Sequence, residues 1–394
     1  MLLIRANAIA LAGAAAGFLG VSGTAIAADA VEFNEKGLTV DLAGDDLTLN
    51  LGGRLHLDAA LYDDDITPFT DNVRVRRARA ELGGRVLKDW RFRVDYQFND
   101  IGKGFTNAWI AYDGIDGVEL RGGNFIAPFS MEDMESSNTT PALERSLAQA
   151  LAPGFLLGGA AKVHKKHWTL TAGYFFNPVA LDPTVNNDRG RGVIARATLA
   201  PLNSARQTLH FGGSVEQRAL DAGSATRVRT LPESGIADAR LIDTRALADV
   251  EGFVGYGVEG AYRHKNLMLR GQYVARQNNA PALGDPRFTA AYAEATWIVT
   301  GESRKYSSTS GVFGGVRPKS KLGALELVAR VSFLDLEDAL VTGGRQTDYL
   351  AGANWQIARN VRVLVNYVHA DASPNRNGDN ESIDLYQTRA QIAF

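Results

Sequence analysis

The side chains in this sequence best suited to chemistry are arginines, and their spacing fits contact with anions rather than bond-making. Arg77, Arg79 and Arg85 fall on one parity, opposite Ala78, Ala80, Leu82 and Val86. Arg91 and Arg93 repeat the pattern, and Arg121 follows in the next such stretch but one. In extended chain, residues two apart point to the same face, so each set would line one surface. A guanidinium stays charged at any relevant pH, and its planar fork matches the oxygens of phosphate or carboxylate. These residues therefore form a candidate anion path. The same faces carry Glu81, Asp95 and Glu119. A lattice of ion pairs is the competing arrangement, and it is compatible with passage of anions. Three further groups extend the basic set. Arg145 lies in residues 127–155, a segment that also holds Glu132, Asp133, Glu135 and Glu144. Arg227 and Arg229 stand two apart in a loop that includes Glu233, Asp238, Asp243 and Asp249. Arg304, Lys305, Arg317, Lys319 and Lys321 crowd residues 301–321, where Glu302 is the one acid; they could form a basic exit or a solvated connection.

Other chemistries find little support. Cysteine is absent, which excludes disulfides, thiolate metal sites and Cys nucleophiles. The six histidines show no convincing ligand spacing; His164 and His167 are three apart but flank an expected turn. No Gly-rich phosphate loop or nucleophile elbow occurs. The sequence thus calls for no enzyme activity, no metal and no cofactor. A formal net charge of -2 predicts no nucleic-acid partner.

The elements that must position these arginines are strands. Leu47, Leu49, Leu51, Leu55, Leu57, Ala59 and Leu61 alternate with Thr48, Asn50, Arg54, His56 and Asp58. Trp90, Phe92, Val94, Tyr96 and Phe98 alternate with Arg91, Arg93, Asp95, Gln97 and Asn99, and the pattern returns at 167–176, 267–276 and 323–334. Such runs are about ten residues long, where soluble strands average about five or six and a tilted membrane-crossing strand needs about nine to eleven. Strands with one apolar face and one polar face, aromatic near their ends, are the mark of an outer-membrane barrel. In lipid every backbone group needs a partner, which a closed sheet supplies. The spacing predicts an all-β fold: a transmembrane antiparallel β-barrel of about 16 strands over residues 47–394. The long strands include 47–61, 322–334 and 347–357. Short turns at 88–89 and 165–166 belong to one end and long loops to the other, although 301–321 is long and falls on the short-turn side.

Export is written at the start. Arg5 precedes an apolar stretch at 8–21, and Ala25-Ile26-Ala27 supplies an A-x-A cleavage site. Residues 1–27 read as a signal peptide, with the mature chain beginning at Ala28 and a short segment at 28–46 before the barrel.

Several stretches resemble the phosphate-selective porin O and P family. They are Arg76-Arg77-Ala78-Arg79 with Lys88-Asp89-Trp90, Arg121-Gly122-Gly123-Asn124-Phe125 with Pro128-Phe129-Ser130, Glu144-Arg145-Ser146-Leu147, Ala152-Pro153-Gly154, Thr300-Gly301-Glu302, Gly323–Arg330 and Asn360–Tyr367. Phe394 ends the chain with Ile392, Ala390 and Tyr386 on its parity, similar to the C-terminal signal of outer-membrane proteins. The resemblance implies a sixteen-stranded barrel in the cell outer membrane, assembled as a homotrimer. It further implies that 127–155 folds inward to set the pore width, and that small anions such as phosphate or polyphosphate diffuse through a basic constriction. The alternative is a general or nutrient porin of the same fold. One departure matters: the family often carries Lys after the Phe of its G-x-F-x-x-P-F motif, and here that place is Ile126.

Overall fold

The computed structural model describes residues 28–34, 37–42, 46–100, 102–179 and 188–394. The expected signal peptide lies outside the described residues. Sixteen strands make one closed antiparallel barrel. In chain order they are β1 (Leu47–Asp64), β2 (Asn72–Val86), β3 (Trp90–Gln97), β4 (Gly104–Ile115), β5 (Val118–Ile126) and β6 (Phe155–His164). Next come β7 (Trp168–Phe176), β8 (Arg191–Asn203), β9 (Gln207–Ala219), β10 (Gly252–His264) and β11 (Leu267–Asn279). The wall ends with β12 (Arg287–Ile298), β13 (Ala324–Asp338), β14 (Val341–Gln356), β15 (Val361–Ala372) and β16 (Glu381–Ala393). Each strand pairs with the next, and β16 closes on β1 from Ile383 opposite Asp64 to Ala393 opposite Arg54. Phe394 finishes the seam, exchanging both backbone hydrogen bonds with Gly53. The ring of sixteen strands is closed among the described residues, which is the condition for crossing a membrane with strands. Between the expected signal peptide and the wall, a hairpin of Ala28–Asn34 and Gly37–Leu42 pairs with the start of β1.

The apolar parity faces outward as expected: Leu57, Leu269, Leu327, Val331 and Val365 are all exposed. Trp90, Trp168, Trp297, Trp355 and Phe394 form an exposed aromatic row at the short-turn end, and Phe98, Phe176, Tyr256, Tyr349 and Tyr386 another towards the long loops. Two such rows are the girdles of a barrel set in a bilayer. Several strands run past their expected bounds, among them β1 to Asp64, β13 to Asp338, and β14 from Val341. These ends rise above the upper aromatic row. There the ladder holds in water and no alternation of apolar residues is demanded, so the period-two signal stops before the strand does.

The hydrophobic core lies inside the barrel. Long connections turn inward and place Phe129, Leu147, Leu151, Leu241 and Ile242 against Phe288, Val368 and Leu385 of the wall. The lumen is therefore partly filled, and what it leaves open decides the site.

Candidate functional site

Among the described residues, three long segments enter the lumen. The first, 127–154, carries α1 (Met131–Met134), whose N-cap Ser130 accepts a hydrogen bond from the Asp133 amide. It is tied to itself by Arg145, whose guanidinium donates to the backbone oxygens of Glu132 (2.8 Å), Asp133 (3.0 Å) and Glu135 (2.9 Å). The Glu132 carboxylate in turn accepts from the Ser146 amide (3.0 Å) and hydroxyl (2.6 Å). The knot is then pinned along one wall. Met131 N–H donates to Glu259 on β10 (2.8 Å), Arg270 on β11 to Glu135 (2.7 Å), Arg362 on β15 to Thr140 O (2.8 Å), and Arg389 on β16 to Leu143 O (2.6 Å).

The second segment, 220–251, dips in at Glu233, which holds a positive φ of 44°. Its carboxylate meets Arg330 on β13 and accepts from the Ser332 hydroxyl at 2.5 Å. The third segment, 299–323, enters from the opposite end. Tyr306 bonds His210 (2.7 Å), Arg196 donates to the carbonyls of Ser310 (3.1 Å) and Gly311 (2.8 Å), and Phe313 is buried with Met131, Ala261 and Met268.

All three lean on β8–β16. There the lumen charges Arg196, Glu259, Arg270, Glu294, Arg330, Arg362 and Arg389 are 7% exposed or less. Arg330 donates to Glu233, to Glu132 (3.2 Å), to Glu294 (3.3 Å) and to Glu144 O (2.9 Å), so one guanidinium joins two inward segments to the wall.

The opposite wall, β2–β7, stays half-open, and here the arginines expected on an anion path come together. Arg93 pairs with Glu81 (2.6 Å) and Asp95 (2.8 Å); Arg91 pairs with Asp113 (2.7 Å) and with Glu119; Arg121 pairs with Glu119 (2.7 Å). Arg121 also lies 4.3 Å over the Trp109 ring. Arg79 donates to a neutral partner, Gln97 (3.1 Å). The ion pairs weighed as the competing arrangement are thus present, yet they do not balance. Leaving aside Arg76 and Arg77, engaged by Glu144, and Asp58 on β1, engaged by Arg389, the charges joined in this patch among the described residues are seven cations (Arg54, Arg79, Arg85, Arg91, Arg93, Arg121, Lys162) and four carboxylates (Glu81, Asp95, Asp113, Glu119). A cavity of about 740 Å³ opens on this side towards the short-turn end, lined by Arg54, Arg91, Arg93, Trp109, Arg317 and Arg359 among others. Towards the long loops a second cavity, of about 320 Å³, is lined by Arg76, Arg77, Arg145, Arg229 and Arg240 with Glu144 and Glu233. The Arg240 guanidinium is held below its ordinary range by burial and then by Arg229, Arg227 and Arg376 nearby.

Several expectations need correction. Arg77 is buried beside Glu144 (3.5 Å) rather than free in the throat. Arg145 reaches the lumen, but its donors hold backbone carbonyls and not an acid. Arg227 is paired with Asp243, while Arg229 lines the vestibule. Arg304, expected at a solvated exit, is buried in a two-point ion pair with Glu326 (2.6 and 2.7 Å) and donates to Thr139 O (2.7 Å). The segment that carries it is a plug, not a free connection. Lys305, Arg317, Lys319 and Lys321 remain exposed on its outer part. Ile126 takes the parity opposite to Arg121 and Phe125, paired with Phe155. Alternation would send a Lys there away from the arginines.

Sequence reading missed Arg76. A bulge sets Arg77 opposite His56 and Val75 opposite Leu57, making Arg76 the extra residue. The bulge turns it to the lumen, where it grips Glu144 at 2.9 and 3.1 Å. Strict alternation gave no sign of this. It also passed over Lys162, whose parity, opposite to that of the lipid-facing Leu157, would have placed it in the lumen.

Comparison with known proteins agrees with this geometry. The family model described as phosphate-selective porin O and P matches residues 49–394. Porin O of Pseudomonas aeruginosa is 29% identical over 99% of this chain and 98% of its own length. Among solved structures, the anion-selective porin from Comamonas acidovorans superposes with a TM-score of 0.56 at 12% identity, covering 89% of this chain and all of its own. OmpT of Vibrio cholerae gives 0.55 at 13% identity, covering 88% and 98%.

Proposed function

The chain belongs to the phosphate-selective porin O and P family, and from that premise we propose that it lets small anions, phosphate and polyphosphate among them, diffuse passively across the outer membrane along the β2–β7 wall. The observation that carries this reading is the surplus of three cations on the one wall the inward segments leave open. An anion entering a narrow throat loses hydration, and fixed donors must replace that water without holding the ion. Guanidinium groups already half-engaged by carboxylates suit this. Each keeps free N–H donors for a passing oxyanion, while its carboxylate limits how tightly the anion is held. Three such barrels form the working unit, and the mature chain begins at Ala28; N-terminal sequencing and native mass spectrometry of the purified protein read both.

The deciding experiment is a reversal potential across a planar bilayer under a KCl gradient. The wild-type pore should prefer chloride. The preference should fade from 0.1 to 1 M salt, as the screening length contracts from about 10 to about 3 Å. Replacing Arg91 and Arg93 together by Gln leaves five cations against the same four carboxylates, so the permeability ratio should move close to unity with the barrel intact. Cation preference in the wild type would end the anion reading and leave a general porin.

A further inference from the structure

Behind the inward segment 127–154 lies a third cavity, of about 490 Å³, which the anion path along β2–β7 does not use. One side is basic: Arg189 just before β8, Arg218 on β9, Arg229 from the 220–251 loop and Arg276 on β11. The other side is apolar, built from Leu151, Leu156 and Phe253.

Arg218 and Arg276 are buried, Arg189 and Arg229 half-buried, and their bonding is unusual for cations so placed. Among the described residues Arg218 donates to backbone carbonyls, those of Phe175 (3.0 Å), Arg189 (3.0 Å), Gly190 and Gly192. Arg189 donates to Pro153 O (2.8 Å). Arg276 lies 3.6 Å over the Phe253 ring and donates to the neutral oxygens of Asn278 (2.9 Å) and Thr226 (3.1 Å). Glu216 is the one carboxylate among the lining residues. Burial holds the Arg189 guanidinium below its ordinary range, although Asp133 and Glu216 favour its charge. Buried charges are ordinarily paired, because an unpaired one forfeits its hydration with nothing in return. Four guanidinium groups around a recess lined by one carboxylate, Glu216, with Asp133 close to Arg189 alone, leave a surplus of positive charge that an anion would answer. The apolar side speaks against a bare inorganic ion, which would leave Leu151, Leu156 and Phe253 uncovered.

We propose that this recess is a binding site for an organic phosphate: a phosphoryl head held by Arg189, Arg229 and Arg276, with an aromatic or aliphatic body against Leu151, Leu156 and Phe253. Arg229 lines both this recess and the vestibule cavity with Arg76 and Arg145, so it can pass the head from one to the other. The inference rests on the anion-pore reading and narrows the solute class within it.

The test is block of chloride current through the wild-type pore by phenyl phosphate and by inorganic phosphate. Phenyl phosphate should reach half-block at a concentration about tenfold lower, the worth of burying much of one ring. Phe253→Ala should raise its half-block about tenfold and move that of inorganic phosphate by less than about twofold. Leu151→Ala changes the same recess from the loop side, should act in the same direction, and serves if the strand variant does not assemble. Arg229→Gln should weaken block by phenyl phosphate. Equal block by the two anions in the wild type would overturn the inference, as would undiminished discrimination in the folded variants. Failure of the anion-pore reading shows separately, as a cation-preferring reversal potential with no blocker present.

Discussion

Replacing Arg330 by Met should turn a narrow, steady pore into a wide and noisy one, with loss of stability of about 3–5 kcal/mol, the cost typical of removing one partner from a buried ion pair. Arg330 is 4% exposed and bonds Glu233, Glu132, Glu294 and the carbonyl of Glu144. Without it, three carboxylates stand together in the barrel with half of their compensation gone. The favoured response is for Glu233 and Glu132 to leave for water, carrying 220–251 and 127–154 out of the lumen. The β12–β14 wall itself keeps its ladder, so the barrel should still form and resist heat in detergent. Single-channel recording reads the change as a larger and more variable conductance step. Combining Arg330→Met with Glu233→Gln should recover part of the lost stability, because one of the stranded charges is gone. Unchanged conductance in Arg330→Met would show that the inward segments are held by their apolar contacts and that this network is secondary.

Arg in place of Val331 should block assembly rather than alter conduction. Val331 is the next residue on β13, on the other parity and exposed to lipid. A guanidinium on the lipid face near mid-bilayer costs roughly 2–4 kcal/mol, and no lumen partner can reach it. Folding into lipid vesicles, followed by the heat-dependent shift in gel mobility, should show a depleted folded band. Arg at Thr171, which faces the lumen beside Lys162, should assemble as the wild type does. The result at Ser332 separates two kinds of lumen position. Ser332 also faces inward, yet it is 1% exposed and bonds Glu233. Arg there should expel the 220–251 segment and resemble Arg330→Met. Equal failure at Val331 and Thr171 would contradict the assignment of faces.

The wall was legible in the sequence because one physical demand writes it. A strand between lipid and a polar lumen needs apolar side chains at every second position, so Leu47 to Leu61 or Trp90 to Asn99 cannot be read as anything else. The same alternation placed Arg79, Arg91, Arg93 and Arg121 on the lumen face, and chain order placed their strands side by side. The inward course of 127–155 came from resemblance, since length alone marks a loop as unusual without saying where it goes.

What the tertiary structure decided is which half of the lumen remains open. Nothing in the spacing of Arg304, Lys305 and Arg317 tells a solvated exit from a plug; that depends on Glu326 and Thr139 meeting Arg304, two partners from a strand and a loop far apart in register. Arg145 and Arg330 look in sequence like any other lumen cations. Their role follows from what they meet, backbone carbonyls in one case and three carboxylates from three different segments in the other. Charge in a pore acts only where water remains, and burial is set by the packing of loops across the barrel. Local sequence therefore fixes the face on which an arginine emerges, and long-range packing alone fixes whether it meets a solute or holds a loop.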